Sequence, residues 1–232
     1  MGTKIIKQGL QYFIEGTTPI EEEEYTILPQ FGPKENLFLW LLMRASLDLD
    51  IKYYRKPNTK AQKYLNLEPD FYIHLGNLWE KYVYEYDSEL SVNNDLTKRI
   101  DMEDKKPDLI LNVRWGDRQE IVVEVKRNVS NTNTEAICKD WDKLLDYTKG
   151  KYNEERQRFE FINGYASYKI GVFYLMGGTM NDLLSKLMKD PERVNASLGN
   201  IGKWSDRILC ICSPGDGTLE YATLEEIKES MK

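Results

Sequence analysis

The sequence predicts an α/β protein with a central mixed β-sheet flanked by helices. Three observations carry this. Two apolar strand-like runs, Pro107–Val113 and Gln119–Lys126, are separated by a turn-forming Trp-Gly-Asp-Arg segment. Further along, helix and strand patterns alternate, as they do when helices cover a sheet. The chain of 232 residues is 41% apolar and 30% charged, ordinary for a globular protein and too apolar for a disordered one.

Residues 1–69 read as an N-terminal arm and helical extension. Short apolar pieces there are broken by Gly16, Pro19, Pro29, Gly32 and Pro33. Pro33 suits the first position of a helix, and Leu37, Phe38, Leu41, Leu42 and Ala45 recur at helical spacing after it. A second helix is expected over Ala61–Leu65. The core, 70–232, opens with a helix from about Asp70 to Tyr84, its stripe formed by Phe71, Leu75, Leu78, Trp79 and Tyr82. Leu90–Val92 reads as a strand. The hairpin follows, then a helix from Thr134 to Lys149 closed by Gly150. Tyr168–Met176 and Arg207–Ser213 are strands, Met180–Met188 is a helix, and the tail from Thr223 is helical. Cys210 and Cys212, in an apolar strand, and Trp40, Trp79, Trp141 and Trp204 are assigned to packing.

Several function classes are excluded. Leu37–Met43 is the longest apolar run, far short of the roughly 20 residues that cross a membrane. The start MGTKIIKQGLQYF has no signal-peptide core, so a cytoplasmic location is expected. Three cysteines without a CxxC pair, and one histidine, His74, argue against a disulfide framework or a structural zinc site. The common nucleotide, serine-hydrolase and zinc-protease signatures are absent. The formal charge of −6 means that any nucleic acid must be held by local basic patches or metal ions. Two such patches interleave cations with aromatics, Lys52–Lys56 and Lys149–Arg158.

The chemistry concentrates between Pro107 and Lys126. Along the second strand Glu120, Val122, Glu124 and Lys126 share one face. Asp108 opens the neighbouring strand. Two carboxylates on adjacent strands sit about 4.5–5.5 Å apart, close enough to share a hard divalent cation. Such a cation polarises a phosphate and lowers the pKa of a bound water, and a nearby lysine orients that water and stabilises charge on phosphorus. One geometric condition applies. A two-residue Gly116-Asp117 turn would set Asp108 opposite Val125, with the carboxylates on opposite faces. The chemistry therefore requires a register shifted by one, through a longer loop or a bulge.

The tripeptide (D/E)xK occurs at Asp50, Glu103, Asp104, Glu124 and Glu226. Only the Glu124 copy lies in an apolar strand preceded by a Pro-Asp strand. Pro107-Asp108 with Glu124-Val125-Lys126 resembles the PD-(D/E)xK nuclease superfamily. Leu78-Trp79-Glu80-Lys81-Tyr82-Val83 is similar to the L-F-E-x-Y-V stretch of McrC-type restriction components. Lys143-Leu144-Leu145-Asp146-Tyr147 keeps the spacing of the family's Q-x-x-x-Y pair, with lysine in place of glutamine. The resemblance covers about Leu78–Gly150.

It implies a restriction-endonuclease-like core with a helical N-terminal extension. It also implies that Asp108, Glu124 and the Val125 carbonyl bind Mg²⁺ or Mn²⁺ and that Lys126 positions the water. Glu80 would touch the metal, with Glu35 and Glu85 as rival upstream carboxylates. Lys143 and Tyr147 would contact the substrate backbone or brace the site. The expected function is a metal-dependent endonuclease acting on DNA in restriction or phage defence. The alternatives are an RNA or structure-specific nuclease, or a non-catalytic nucleic-acid- or partner-binding subunit retaining the fold. Cutting both strands of a duplex with one site per chain takes two sites, so a homodimer or a partner subunit is expected. Plain solvation and cross-strand ion pairing are the competing reading of Glu124 and Lys126.

Overall fold

The computed structural model describes residues 2–8, 11–15, 19–20, 25–49, 68–94, 107–113, 116–127, 132–156, 158–161, 164 and 166–231. The expected helix over Ala61–Leu65 and the basic run Lys52–Lys56 lie outside these residues.

The architecture is mixed α/β, with a large mixed central sheet flanked by helices. In chain order the strands of this sheet are β1 (Thr3–Gln8), β2 (Gln11–Ile14), β3 (Leu90–Asn94), β4 (Leu109–Val113), β5 (Gln119–Arg127), β8 (Ile170–Met176), β9 (Ile208–Ser213) and β10 (Thr218–Thr223). They lie in the order β2-β1-β10-β9-β8-β5-β4-β3, while β6 (Lys151–Asn153) and β7 (Arg158–Glu160) form a separate ribbon. Strands β5, β8 and β9 are parallel to one another and the remaining neighbours are antiparallel. Strand β8 is buried throughout, as a parallel strand covered on both faces must be.

Helices α1 (Pro33–Asp48) and α2 (Glu68–Tyr86) cover one face, where Trp40, Phe71, Leu75 and Trp79 pack on Leu109, Val123, Val125, Tyr174 and Ile211. The other face is covered by α3 (Thr134–Thr148), α4 (Met180–Leu187), α5 (Pro191–Ile201) and α6 (Leu224–Ser230), packing on Ile110, Val122, Phe173, Cys210 and Cys212. Among the described residues no helix is long and apolar enough to cross a membrane.

Where the sequence reads as an N-terminal arm, the chain makes two strands. β1 pairs with β10 and β2 with β1. Asp48, at the end of α1, ties this edge down, accepting from Lys7 Nζ at 2.6 Å, Tyr12 Oη at 2.6 Å and Tyr82 Oη at 2.7 Å. α2 begins at Glu68, two residues before the expected start. α6 starts on a capping box between Thr223 and Glu226.

The register of the β4–β5 hairpin positions everything that follows. Leu109, Ile110 and Leu111 face Val123, Val122 and Ile121, but Asn112 faces Gln119. Glu120 is the extra residue, a β-bulge. Continued one step past the Leu109–Val123 pair, this register sets Asp108 opposite Glu124. The bulge supplies the one-residue shift that the sequence demands.

Candidate functional site

Side chains alternate along a strand. Asp108 therefore shares the α3-covered face with Ile110, and Glu124 and Lys126 share it with Val122. The Asp108 carboxylate accepts the Val125 N–H at 2.7 Å, which fixes the start of β4 against β5. Glu124 is 1% exposed. Its Oε2 lies 3.1 Å from Lys143 Nζ, while its Oε1 is buried without a hydrogen-bond partner among the described residues.

α3 carries the facing half of the site. Asn133 caps it by accepting the Ala136 N–H, and Ile137, Trp141 and Leu144 anchor it to the sheet. Asp140, Lys143 and Tyr147 fall at helical spacing on the side facing β5. Buried Asp140 lies 3.1 Å from Lys126 Nζ and 3.6 Å from Lys143 Nζ. Acidic and basic side chains thus alternate, Glu124–Lys143–Asp140–Lys126. The Tyr147 hydroxyl is also buried without a partner among the described residues. Burial raises its pKa, and the charges of Glu124 and Asp108 raise it further.

Electrostatics set Glu124 apart. Burial, then the negative charges of Asp108 and Asp140, push its carboxyl up to about 8, against the opposing pull of Lys143. Lys143 moves upward as well, because Glu124 and Asp140 outweigh the burial that disfavours its charge. A buried carboxyl that holds a proton near neutral pH, with one oxygen unengaged, exchanges that proton readily for a cation.

The structure brings Asp108, Glu124, Val125, Lys126, Lys143 and Tyr147 together. Glu80 is placed elsewhere. It belongs to α2, on the opposite sheet face, and its Oε1 accepts the Val92 N–H of the outer strand at 3.3 Å. Of the other upstream groups, Glu35 is 2.7 Å from Lys169 at the far end of β5, and Glu85 and His74 are exposed on α2. Among the described residues no three His, Cys, Asp or Glu side chains form a ready metal-binding group. Two facing carboxylates suit Mg²⁺, which keeps several of its waters, and the unengaged Glu124 Oε1 fits that donor set.

Asp140 is the site residue that sequence reasoning missed. Its signal was there. It lies one helical turn before Lys143 and two before Tyr147, and two lysines without a nearby acid would be hard to bury.

No family model, curated protein or solved structure matches this chain.

Proposed function

We propose that this chain is a metal-dependent endonuclease that hydrolyses phosphodiester bonds of DNA in restriction or phage defence, on a restriction-endonuclease-like core. One observation carries the reading. The bulge at Glu120 sets Asp108 across from Glu124 and leaves Lys126 on the same face. A plain turn would have divided these groups between the two faces of the sheet. The resemblance of the same residues to the PD-(D/E)xK pattern supports it.

Asp108, Glu124 and the Val125 carbonyl would hold Mg²⁺ or Mn²⁺, which when bound supplies a Lewis acid and lowers the pKa of a bound water. The chain's own groups do the rest. Lys126, side chain 24% exposed and steadied by Asp140, orients the attacking water and stabilises charge on the phosphoryl oxygens. Lys143, 33% exposed, turns its ammonium to a substrate phosphate once Glu124 is otherwise neutralised. Tyr147 is buried on the helix face behind the site. Glu80 supports the site through the outer strand it holds.

A second reading, a nucleic-acid-binding subunit that retains the fold without cutting, is favoured by the internal pairing of Glu124 with Lys143 and of Lys126 with Asp140. Incubation with plasmid, single-stranded DNA and RNA in Mg²⁺, Mn²⁺ or EDTA separates the two. Metal-dependent scission of DNA supports the nuclease. Binding without scission in any metal supports the second reading.

A further inference from the structure

At the far end of β5 from Glu124, a cleft of about 600 Å³ opens between the β4–β5 turn and the β6–β7 ribbon. That size suits a small ligand or a segment of a polymer. Its lining includes Arg118, Arg156, Arg158 and Lys169 against a single carboxylate, Asp117. Phe159 lines it too, with its ring held by the Arg207 guanidinium at 4.1 Å and the Tyr152 ring at 5.2 Å. This is the segment that the sequence singles out as the basic, aromatic run Lys149–Arg158, and the site around Glu124 does not use it.

The cations are placed by carboxylates set behind or beside them. Arg118 gives Nε to buried Glu120 and Nη1 to Asp87 at 2.8 Å. Lys169 is held by Glu35 at 2.7 Å and Glu120 at 2.9 Å. Arg158 is engaged by Glu160, Asp117 and the Gly164 carbonyl. Arg156 is the loosely held member, with a side chain 57% exposed and 3.4 Å from Glu160. The Ser167 hydroxyl lines the cleft and is buried without a hydrogen-bond partner among the described residues. Oriented N–H donors, a fixed aromatic ring and an unengaged hydroxyl match a phosphate ester carrying a base.

The cleft's position relates it to the first site. Gln119 lines the cleft, and its Oε1 accepts from Asn112 Nδ2 at 3.5 Å. Asn112 lies on the same sheet face as Asp108. From Gln119 to Glu124 is five steps of extended strand, about 17 Å. One strand of a duplex rises that far in about five nucleotides. With a net charge of −6, the chain has no bulk field to draw in nucleic acid, so a second local contact along one path is where binding strength would reside.

We propose that this cleft binds the phosphodiester backbone of the substrate strand about five nucleotides from the bond cut at Asp108 and Glu124. The placement relative to cutting rests on the nuclease reading, while the binding itself can be measured without it. The test uses the full chain in EDTA, where no metal is present. Fluorescence anisotropy follows a labelled oligonucleotide of about 20 nucleotides, longer than a strand-binding site of about 4–16, as single strand and as duplex over a salt series. Arg156→Glu should weaken binding by roughly three- to tenfold and lower the salt slope by about one, while Arg156→Lys stays near wild type.

Unchanged affinity and salt slope in Arg156→Glu, at an unchanged melting midpoint, would overturn the proposal. So would adenosine monophosphate competing as well as the strand, which would make the cleft a mononucleotide pocket. Weakened binding by Arg156→Glu in a protein that cuts nothing in any metal would leave the cleft standing and remove the nuclease. Cutting that depends on Lys126 while Arg156→Glu binds normally would do the reverse.

Discussion

Lys143 Nζ lies 3.1 Å from Glu124 Oε2, so that an ammonium already sits where an incoming cation would neutralise the carboxylate. With Glu124 pushed up to about 8 by burial and by Asp108, a divalent ion must displace a proton below that pH. Metal affinity should then rise roughly tenfold per pH unit up to about pH 8 and level off above it. Calorimetric titration with Mn²⁺ across this range checks the slope. Lys143→Met removes a cation that lowers Glu124 and should move the plateau to higher pH. A pH-independent affinity would mean that Glu124 is not a ligand.

The same carboxyl makes stability depend on pH in the metal-free protein. Its folded pKa lies above the ordinary value, so the native state binds the extra proton. The stabilisation is complete below about 4.5 and is lost as the pH rises through about 8. Glu124→Gln, neutral at every pH, should melt above wild type in mildly alkaline buffer, with the gap closing towards mildly acidic pH. Thermal unfolding in EDTA reads this directly.

Asp140 lies 3.1 Å from Lys126 Nζ and orients that ammonium in the site. Asp140→Asn should lower kcat by about 10- to 100-fold, the scale on which removing a group that orients a catalytic side chain acts. KM should change little, and Asp140→Glu should recover part of the rate. A purely structural role would instead lower the melting midpoint and leave the remaining folded protein at full rate.

Stability elsewhere hangs on Asn36. Its carboxamide accepts the N–H groups of Ile27 and Leu28, both at 2.7 Å, and donates to the carbonyls of Leu28, Phe31 and Gly32. Asn36→Ala strands two buried backbone donors, at a cost of roughly 2–4 kcal/mol. Chemical denaturation should show that loss while Mn²⁺ binding is retained.

Much of this arrangement was legible in the sequence, for physical reasons that vary by element. The hairpin Pro107–Lys126 and strand β8 are long apolar runs bounded by turn residues, and they form where periodicity puts them. The shifted register was also legible, because chemistry demanded Asp108 and Glu124 on one face. That Glu120 is the bulged residue was not, since nothing local distinguishes it from its neighbours. β1 and β2 escaped because short strands at the margin of a sheet have a weak pattern, and β1 gains its stability from the distant β10 and β2 from β1. α5 and β10 lie in polar, glycine-punctuated sequence, where tertiary contacts outweigh local propensity. The position of Glu80 was lost for a related reason. Helical periodicity says which residues share a stripe, not which sheet face the helix will cover.

The most direct test of the central claim is a plasmid-nicking assay in Mg²⁺ or Mn²⁺ with wild type, Asp108→Ala and Lys126→Ala, each shown to be folded by circular dichroism. The account predicts metal-dependent nicking by wild type, abolished in EDTA and lowered by at least about 100-fold in both variants. Nicking that persists at the wild-type rate in either folded variant would contradict it.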